Sequence, residues 1–292
     1  MKEPSRRTSR QALALGLIAA LALGCGGFLL GRTTSERPAP PVATPVVTPV
    51  PQPTAPIEVT KRTFGRADLI ALASGAADAF AAGRPMPSDV LAADGRLFEL
   101  KLPFGCNGPA TPDSDATARW RYDEQAKALR IHVAPTEWTA ADWLPDPSPS
   151  VDAIEGFWIS RPWTSSEACP AGASHPPTGT EPVTLPGQTL AIAQIFTSES
   201  TRQGRRDGDA FETVKKVASD ALDTSQGFQL RLRGRIARVP GNGPILCQQP
   251  AGPEQRPICL LGAALDDVAI VNAATGDVLA TWPIARNSTA KP

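Results

Sequence analysis

Histidine is scarce in this chain, which limits the catalytic chemistry to be expected of it. The 292 residues include two histidines, His132 and His175, and the motifs GxSxG, GxxxxGK, HExxH and CxxC are absent from the sequence. His175 lies in a proline-rich region with Ser165 and Ser166, so a general base at His175 is one hypothesis. His132 is placed on a strand, on the face that it shares with Arg130. We therefore predict no catalytic residue, no metal site and no cofactor.

The cysteines indicate disulfide chemistry. Apart from Cys25, the chain contains Cys106, Cys169, Cys247 and Cys259, and four cysteines in an oxidising compartment can pair in three ways. Cys247 and Cys259 flank a turn-rich segment, which favours a bridge across a hairpin and leaves Cys106 to pair with Cys169. Zinc binding is the alternative, but the spacings do not match those of zinc ligands. The sequence thus predicts the disulfides Cys247–Cys259 and Cys106–Cys169.

Tryptophans form a first group of candidate binding residues. Trp138, Trp143, Trp158 and Trp163 fall in or beside loop-like sequence. Exposed aromatic side chains in loops can stack on sugars or peptides. In a loop-rich domain the same side chains can instead pack in the core and hold the loops down. The sequence leaves both interpretations open.

Arginines form a second group of candidate binding residues. Arg231, Arg233 and Arg235 alternate with apolar residues, so on a strand they would line one face at intervals of about 6.8 Å. Such a row can meet carboxylates or lipid phosphates. Acids on a neighbouring strand can also match it, and Glu99 is a candidate partner if its strand lies alongside.

The elements that would position these residues are mostly strands. A helix is predicted from Leu69 to Phe80, with Gly83 and Pro85 as stop signals. Alternating or continuously apolar runs predict strands at 98–102, 118–122, 129–133, 190–196, 228–236, 268–271 and 278–282. The predicted fold class is α+β, mainly antiparallel β, with one or two helices.

Three segments are harder to assign. The first strand is expected to stop at Pro103, which cannot donate a backbone hydrogen bond. Residues 145–189 are dominated by turn formers, interrupted by the short apolar run 156–159. Residues 210–222 fit either a helix or a strand.

The N-terminal region predicts a membrane anchor. A basic stub, residues 1–10, precedes 21 uncharged residues at 11–31, which as a helix would span roughly 30 Å and cross a bilayer core. The basic flank places the N-terminus in the cytoplasm. Two alternatives stay open, cleavage of a signal peptide after Ala22 and attachment of a lipid at Cys25.

A proline-rich linker separates this anchor from the rest of the chain. Residues 32–58 include eight prolines between Pro38 and Pro56, and such a stretch favours extended polyproline II structure. Residues 59–286 then form the exported, disulfide-containing domain, and 287–292 are expected to be a disordered tail.

The net charge and the glycine spacing restrict the kinds of partner to be expected. The 29 basic and 29 acidic residues cancel, which argues against a nucleic-acid partner. Gly27 and Gly31 have the GxxxG spacing that allows a homodimer of membrane helices, and small residues in a span that forms no dimer are the alternative. We expect a single-pass inner-membrane protein whose periplasmic domain acts as a binding or assembly module, with an envelope protein or the cell wall as partner. The alternative is an envelope hydrolase acting on cell-wall or glycan substrate, with its site near the tryptophans and His175.

Overall fold

The computed structural model describes residues 62–144, 151–159, 165–169, 189–197 and 205–284. The predicted anchor (11–31, with Cys25, Gly27 and Gly31), the linker (32–58) and the tail (287–292) lie outside the described residues, as do Trp163 and His175. Within the described ranges, no helix is both long and apolar enough to span a membrane.

Helices occur near the start of the described chain: α1, Arg66–Ala81, and the single-turn α2, Ser88–Leu91. Helix α1 begins where the carboxylate of Asp68 accepts the N–H of Gly65 at 2.9 Å, so the third helical residue satisfies a donor at the helix start. The helix predicted at 69–80 is confirmed, although its last apolar residue, Phe80, is exposed. Two short 3-10 helices follow at Ala140–Asp142 and Ser219–Ala221.

The remaining described elements are strands. They are β1 Leu97–Phe104, β2 Ala118–Asp123, β3 Ala128–Val133, β4 Thr136–Trp138, β5 Val151–Trp158, β6 Leu190–Thr197, β7 Phe211–Lys216, β8 Phe228–Ile236, β9 Ile245–Gln248, β10 Ile258–Asn272 and β11 Val278–Pro283. An eight-stranded sheet has the order β1-β8-β10-β6-β5-β4, with β9 and β11 also paired to β10, and a three-stranded sheet has the order β2-β3-β7. Strands β6 and β10 run parallel, and the other pairs are antiparallel. The β-rich α+β class is confirmed.

The 15-residue strand β10 holds the large sheet together. Its first part, Ile258–Gly262, pairs with β6 and β9, and its later part pairs with β8 and β11. The change of partners falls between Gly262 and Ala263, and a register shift between Leu265 and Asp267 lies within the pairing with β8, as expected of a bulge that bends a strand. The sequence predicted only the segment 268–271 of this strand.

Two hydrophobic clusters lie on opposite faces of β6. Leu190 and Ile192 belong to the larger cluster, which also includes residues of α1, β1, β8 and the three-stranded sheet, whereas Ala191 and Ala193 belong to the smaller one. Because both faces are covered, the strand is continuously apolar in sequence. The same double burial explains why β5 was not predicted, since its buried positions show no regular alternation.

Two other segments differ from their predictions in instructive ways. Strand β1 continues through Pro103 to Phe104, because it is an edge strand and Pro103 faces away from its partner β8. The ambiguous segment 210–222 is β7 followed by a 3-10 turn.

The structure contains both disulfides expected from the sequence. Cys247 and Cys259 are directly opposite on β9 and β10, with Cα atoms 4.1 Å apart. Cys106 and Cys169 have Cα atoms 5.5 Å apart and close a loop with a sequence separation of 63. The second bridge therefore fastens residues 165–169 near the end of β1.

Candidate functional site

The arginine row, defined as Arg231, Arg233 and Arg235, lies on the face of β8 opposite the core. Glu99 of β1 is the register partner of Arg233, and its Oε2 lies 2.7 Å from Arg233 Nε. Arg231 lies 3.7 Å from Asp267 of β10. Arg235 forms no ion pair with any described residue. The neighbouring strands thus match two of the three arginines, as the Glu99 alternative anticipated.

A short segment held by a disulfide extends this charged network. Lys101 Nζ lies 3.7 Å from Glu99 and 3.4 Å from Glu167, and the side-chain amide of Gln229 donates to the Glu167 carbonyl at 2.9 Å. Glu167 stands two residues before Cys169, so the Cys106–Cys169 bridge keeps it next to the row. The cations in this network exceed the acids by one, and Arg235 is the unmatched one among the described residues.

The buried guanidinium of Arg66 borders the same network. It donates to the Lys101 carbonyl at 3.2 Å. Burial lowers the pKa of Arg66, and the charge of Glu167 opposes that shift. Glu167 therefore stabilises a buried cation as well as the half-buried Lys101.

The tryptophan cluster, defined as Trp138, Trp143 and Trp158, is largely a packing element. The ring centroids of Trp138 and Trp158 lie 5.3 Å apart, and those of Trp138 and Trp143 lie 6.2 Å apart, both edge to face. Trp143 is 4 % exposed and belongs to the smaller hydrophobic cluster, against which Trp138 and Trp158 pack while partly exposed. Trp143 anchors the 3-10 turn at 140–142 to the sheet, and the other two tryptophans remain partly exposed.

A cleft that the sequence did not predict lies beside β5. Three polar side chains line it: Glu155, Gln194 and Arg206. The apolar lining consists of Pro135, Phe157, Phe196, Phe211, Leu265 and Ile284. Its free space is about 280 Å³ including the open mouth, and an adjoining cavity of about 160 Å³ shares Glu155, Phe157 and Gln194. The cleft is therefore small, mostly apolar and polar on one wall.

Glu155 forms the polar wall, and its carboxylate is already bound. It is 5 % exposed, and it accepts the backbone N–H groups of Arg206 at 2.9 Å and Asp207 at 3.0 Å. Arg205 Nε lies 3.4 Å from the Glu155 carboxylate and 2.6 Å from Asp207. A buried carboxylate needs such donors. Glu155 thus fastens the turn at 205–209 over one side of the cleft.

Gly156 allows the sheet to close beside Glu155. A Cβ atom on Gly156 would overlap the backbone carbonyl of Ile192 and the Cα of Ala193, so β5 and β6 approach too closely there for any other residue. The sequence signal that could have revealed this site is Glu155 itself, a lone acid in the otherwise apolar run 153–158.

The described residues contain no group of three His, Cys, Asp or Glu side chains placed to hold a metal ion. His132 Nδ1 lies 2.6 Å from Glu212 on the outer face of the three-stranded sheet. No family model matches the chain, and no curated protein or solved structure is significantly similar to it.

Proposed function

We propose that this protein is a single-pass membrane protein of the cell envelope whose exported domain acts as a binding or assembly module. The two disulfides support an oxidising compartment for that domain. The uncharged segment 11–31 follows a basic stub, and this order supports an N-terminal anchor with the N-terminus in the cytoplasm. The domain would then face the periplasm at the end of the proline-rich linker.

The size and lining of the cleft beside β5 carry the binding part of this proposal. Pockets that enclose small molecules usually measure about 300–1,000 Å³, whereas the enclosed space of this cleft is about 20 Å³, enough for about one water molecule. The cleft as it stands encloses no small molecule, and a larger partner would instead pack an apolar side chain against its open, apolar mouth. Buried apolar anchors of this kind supply much of the energy of protein interfaces.

The polar wall adds specificity to such a contact. Gln194 offers a side-chain amide beside the apolar lining. Glu155 is already bound to the turn at 205–209, and the Arg206 guanidinium already donates to the carbonyls of Asp209 and Ala210. The partner would place an apolar side chain against this lining and meet the amide of Gln194. Arg235 and the exposed edges of Trp138 and Trp158 are further candidate contacts around the domain.

Site-specific photocrosslinking in cells tests this proposal. A benzoylphenylalanine at Leu265, in the cleft wall, is expected to give a discrete adduct with one envelope protein. The same probe at Leu91, an exposed residue of α2, is the matched control and is expected to give none. Adding Gln194→Phe, which fills the cleft, should abolish the Leu265 adduct. Equal adducts from Leu265 and Leu91, or an adduct that survives Gln194→Phe, would contradict a partner in the cleft.

Membrane attachment needs a separate measurement. Intact mass of the full-length protein from membranes separates the uncleaved anchor from cleavage after Ala22, and fatty-acid labelling at Cys25 detects the lipoprotein. We expect the uncleaved, unlabelled chain. Either processed form would overturn the anchor and leave the binding proposal standing.

A further inference from the structure

The edge strands β1, β11 and β4 of the large sheet are protected against pairing with another chain. At β1, Phe64 donates its N–H to the Leu97 carbonyl at 2.8 Å and accepts the N–H of Glu99 at 2.9 Å. Main-chain groups two residues apart point to the same side of a strand, so Pro103, four residues after Glu99, also faces outward. A proline there offers no N–H to an incoming strand.

Strands β11 and β2 are protected in related ways. The N–H of Ile284 points toward β10, where it donates to Asp266 at 2.9 Å, so the preceding residue, Pro283, faces outward. On the edge of β2, the Trp120 carbonyl accepts the N–H of Ala110 at 2.8 Å. Strand β4 is three residues long, too short to template a long pairing.

Strand β7 is different, because the residues that the structure describes give its outer edge no such protection. Val217 donates to the Lys127 carbonyl at 3.0 Å, toward β3, so Glu212, Val214 and Lys216 turn their main-chain groups away from β3. The described residues supply no backbone partner to these three. Val214 is 53 % exposed, and β7 contains no proline. Such an edge is ready to accept another strand.

We propose that β7 pairs with β7 of a second copy of this chain, antiparallel, about a two-fold axis at Val214. In this register Val214 lies opposite its own copy, and Glu212 lies opposite Lys216 twice. The three outward-facing residues then form three hydrogen-bonded pairs, each exchanging two N–H···O bonds. The two three-stranded sheets would join into one sheet of six strands, which is an isologous interface.

Charge complementarity selects this register and a second copy as the occupant. Glu212 and Lys216 flank Val214 symmetrically on one face, so self-pairing converts a mixed-charge edge into two opposite-charge cross-strand pairs. A shift by one residue would bring inward-facing groups to the edge, and a shift by two would place Val214 opposite a charged residue. In the monomer Glu212 contacts His132, and Lys216 Nζ donates to the Ala126 carbonyl at 2.7 Å, which leaves each charged group capacity for a second partner.

Cysteine crosslinking of the full-length protein in membranes tests the pairing. Hydrogen-bonded cross-strand Cα atoms lie about 5.5 Å apart, within the range for a disulfide, so Val214→Cys should give a disulfide-linked dimer on a non-reducing gel. Val278→Cys, at an equally exposed valine of β11, is the control and should give none. Equal crosslinking at the two positions would overturn the proposal.

A charge exchange separates specific pairing from chance encounters. In the Val214→Cys background, Glu212→Lys places lysines opposite each other and should lower the crosslinked fraction by about tenfold. Adding Lys216→Glu restores opposite charges and should restore the dimer. The same charge change at the exposed Glu254 should have no effect. A dimer that survives Glu212→Lys, or that the double exchange does not recover, would overturn this register.

Discussion

The tryptophan cluster and the arginine row are both candidate binding surfaces by residue type, and the fold treats them in opposite ways. The tryptophans turn mostly inward, with Trp143 nearly inaccessible, whereas the arginines stay on the outer face of β8 and meet acids from β1 and β10. Burial makes the first group a source of stability. The ion pairs of the arginines are partly in contact with water, so they contribute little to stability and can exchange partners.

Removing the most buried tryptophan of the cluster should give the largest loss of stability. Trp143→Ala leaves a cavity beside Trp138 and Trp158, and buried tryptophan truncations cost about 3–5 kcal/mol. The unfolding midpoint in urea, followed by circular dichroism, measures this loss. Trp143→Phe keeps most of the volume and should lose less than half as much. A cost below about 1 kcal/mol for Trp143→Ala would mean that the cluster is not a core element.

Removing the disulfide beside the arginine row should give the second largest loss of stability. Replacing Cys106 and Cys169 by serine opens the loop with a sequence separation of 63 and should cost about 2–4 kcal/mol. It should also release Glu167 from Lys101, so a hydrogen-exchange map should show faster exchange near β1 than at the tryptophan cluster. Removing Cys247 and Cys259 by the same substitution is the matched comparison, and its effect should centre on β9 and β10. Identical exchange maps for the two variants would contradict this local role.

The contrast also shows which features a sequence can reveal. Strand β8 was predictable because one face is buried and the other is not, so its alternation fixes where Arg233 points. The pairing of Arg233 with Glu99 needed only the further assumption that β1 and β8 are neighbours. Strand β5 lacked such a pattern because both of its faces are covered.

The cleft lay beyond sequence reasoning for a different reason. Its walls come from β5, β6, β10 and the segment at 205–211, which are distant in the chain and meet only through strand pairing. Nothing local marks Phe157 and Leu265 as neighbours. Glu155 was visible as an isolated acid, but its partners, the backbone N–H groups of Arg206 and Asp207, carry no sequence signature.

Of the two ion pairs in the arginine row, the more buried one, Arg231 with Asp267, should contribute more to stability. Arg231 has a side chain only 14 % exposed, facing Asp267 at 3.7 Å. Asp267→Ala removes its counter-charge and should cost about 1–3 kcal/mol, measured by urea unfolding. Replacing both residues, as Arg231→Met with Asp267→Leu, should be close to neutral, because no buried charge is then left alone. A double variant less stable than Asp267→Ala would contradict this explanation.

Breaking the exposed ion pair of Arg233 with Glu99 should give the smallest loss of stability, in contrast to the large loss expected at Trp143. Arg233 is 45 % exposed, so Arg233→Ala should cost about 0.2–1 kcal/mol. The cost should fall near the lower limit, because Lys101 lies 3.7 Å from Glu99 and still neutralises it. Salt screens exposed charges, so the difference from the parent protein should shrink when unfolding is repeated at high salt. A large, salt-independent loss would instead place Arg233 among the packing residues, with Trp143, and erase the distinction between the two surfaces.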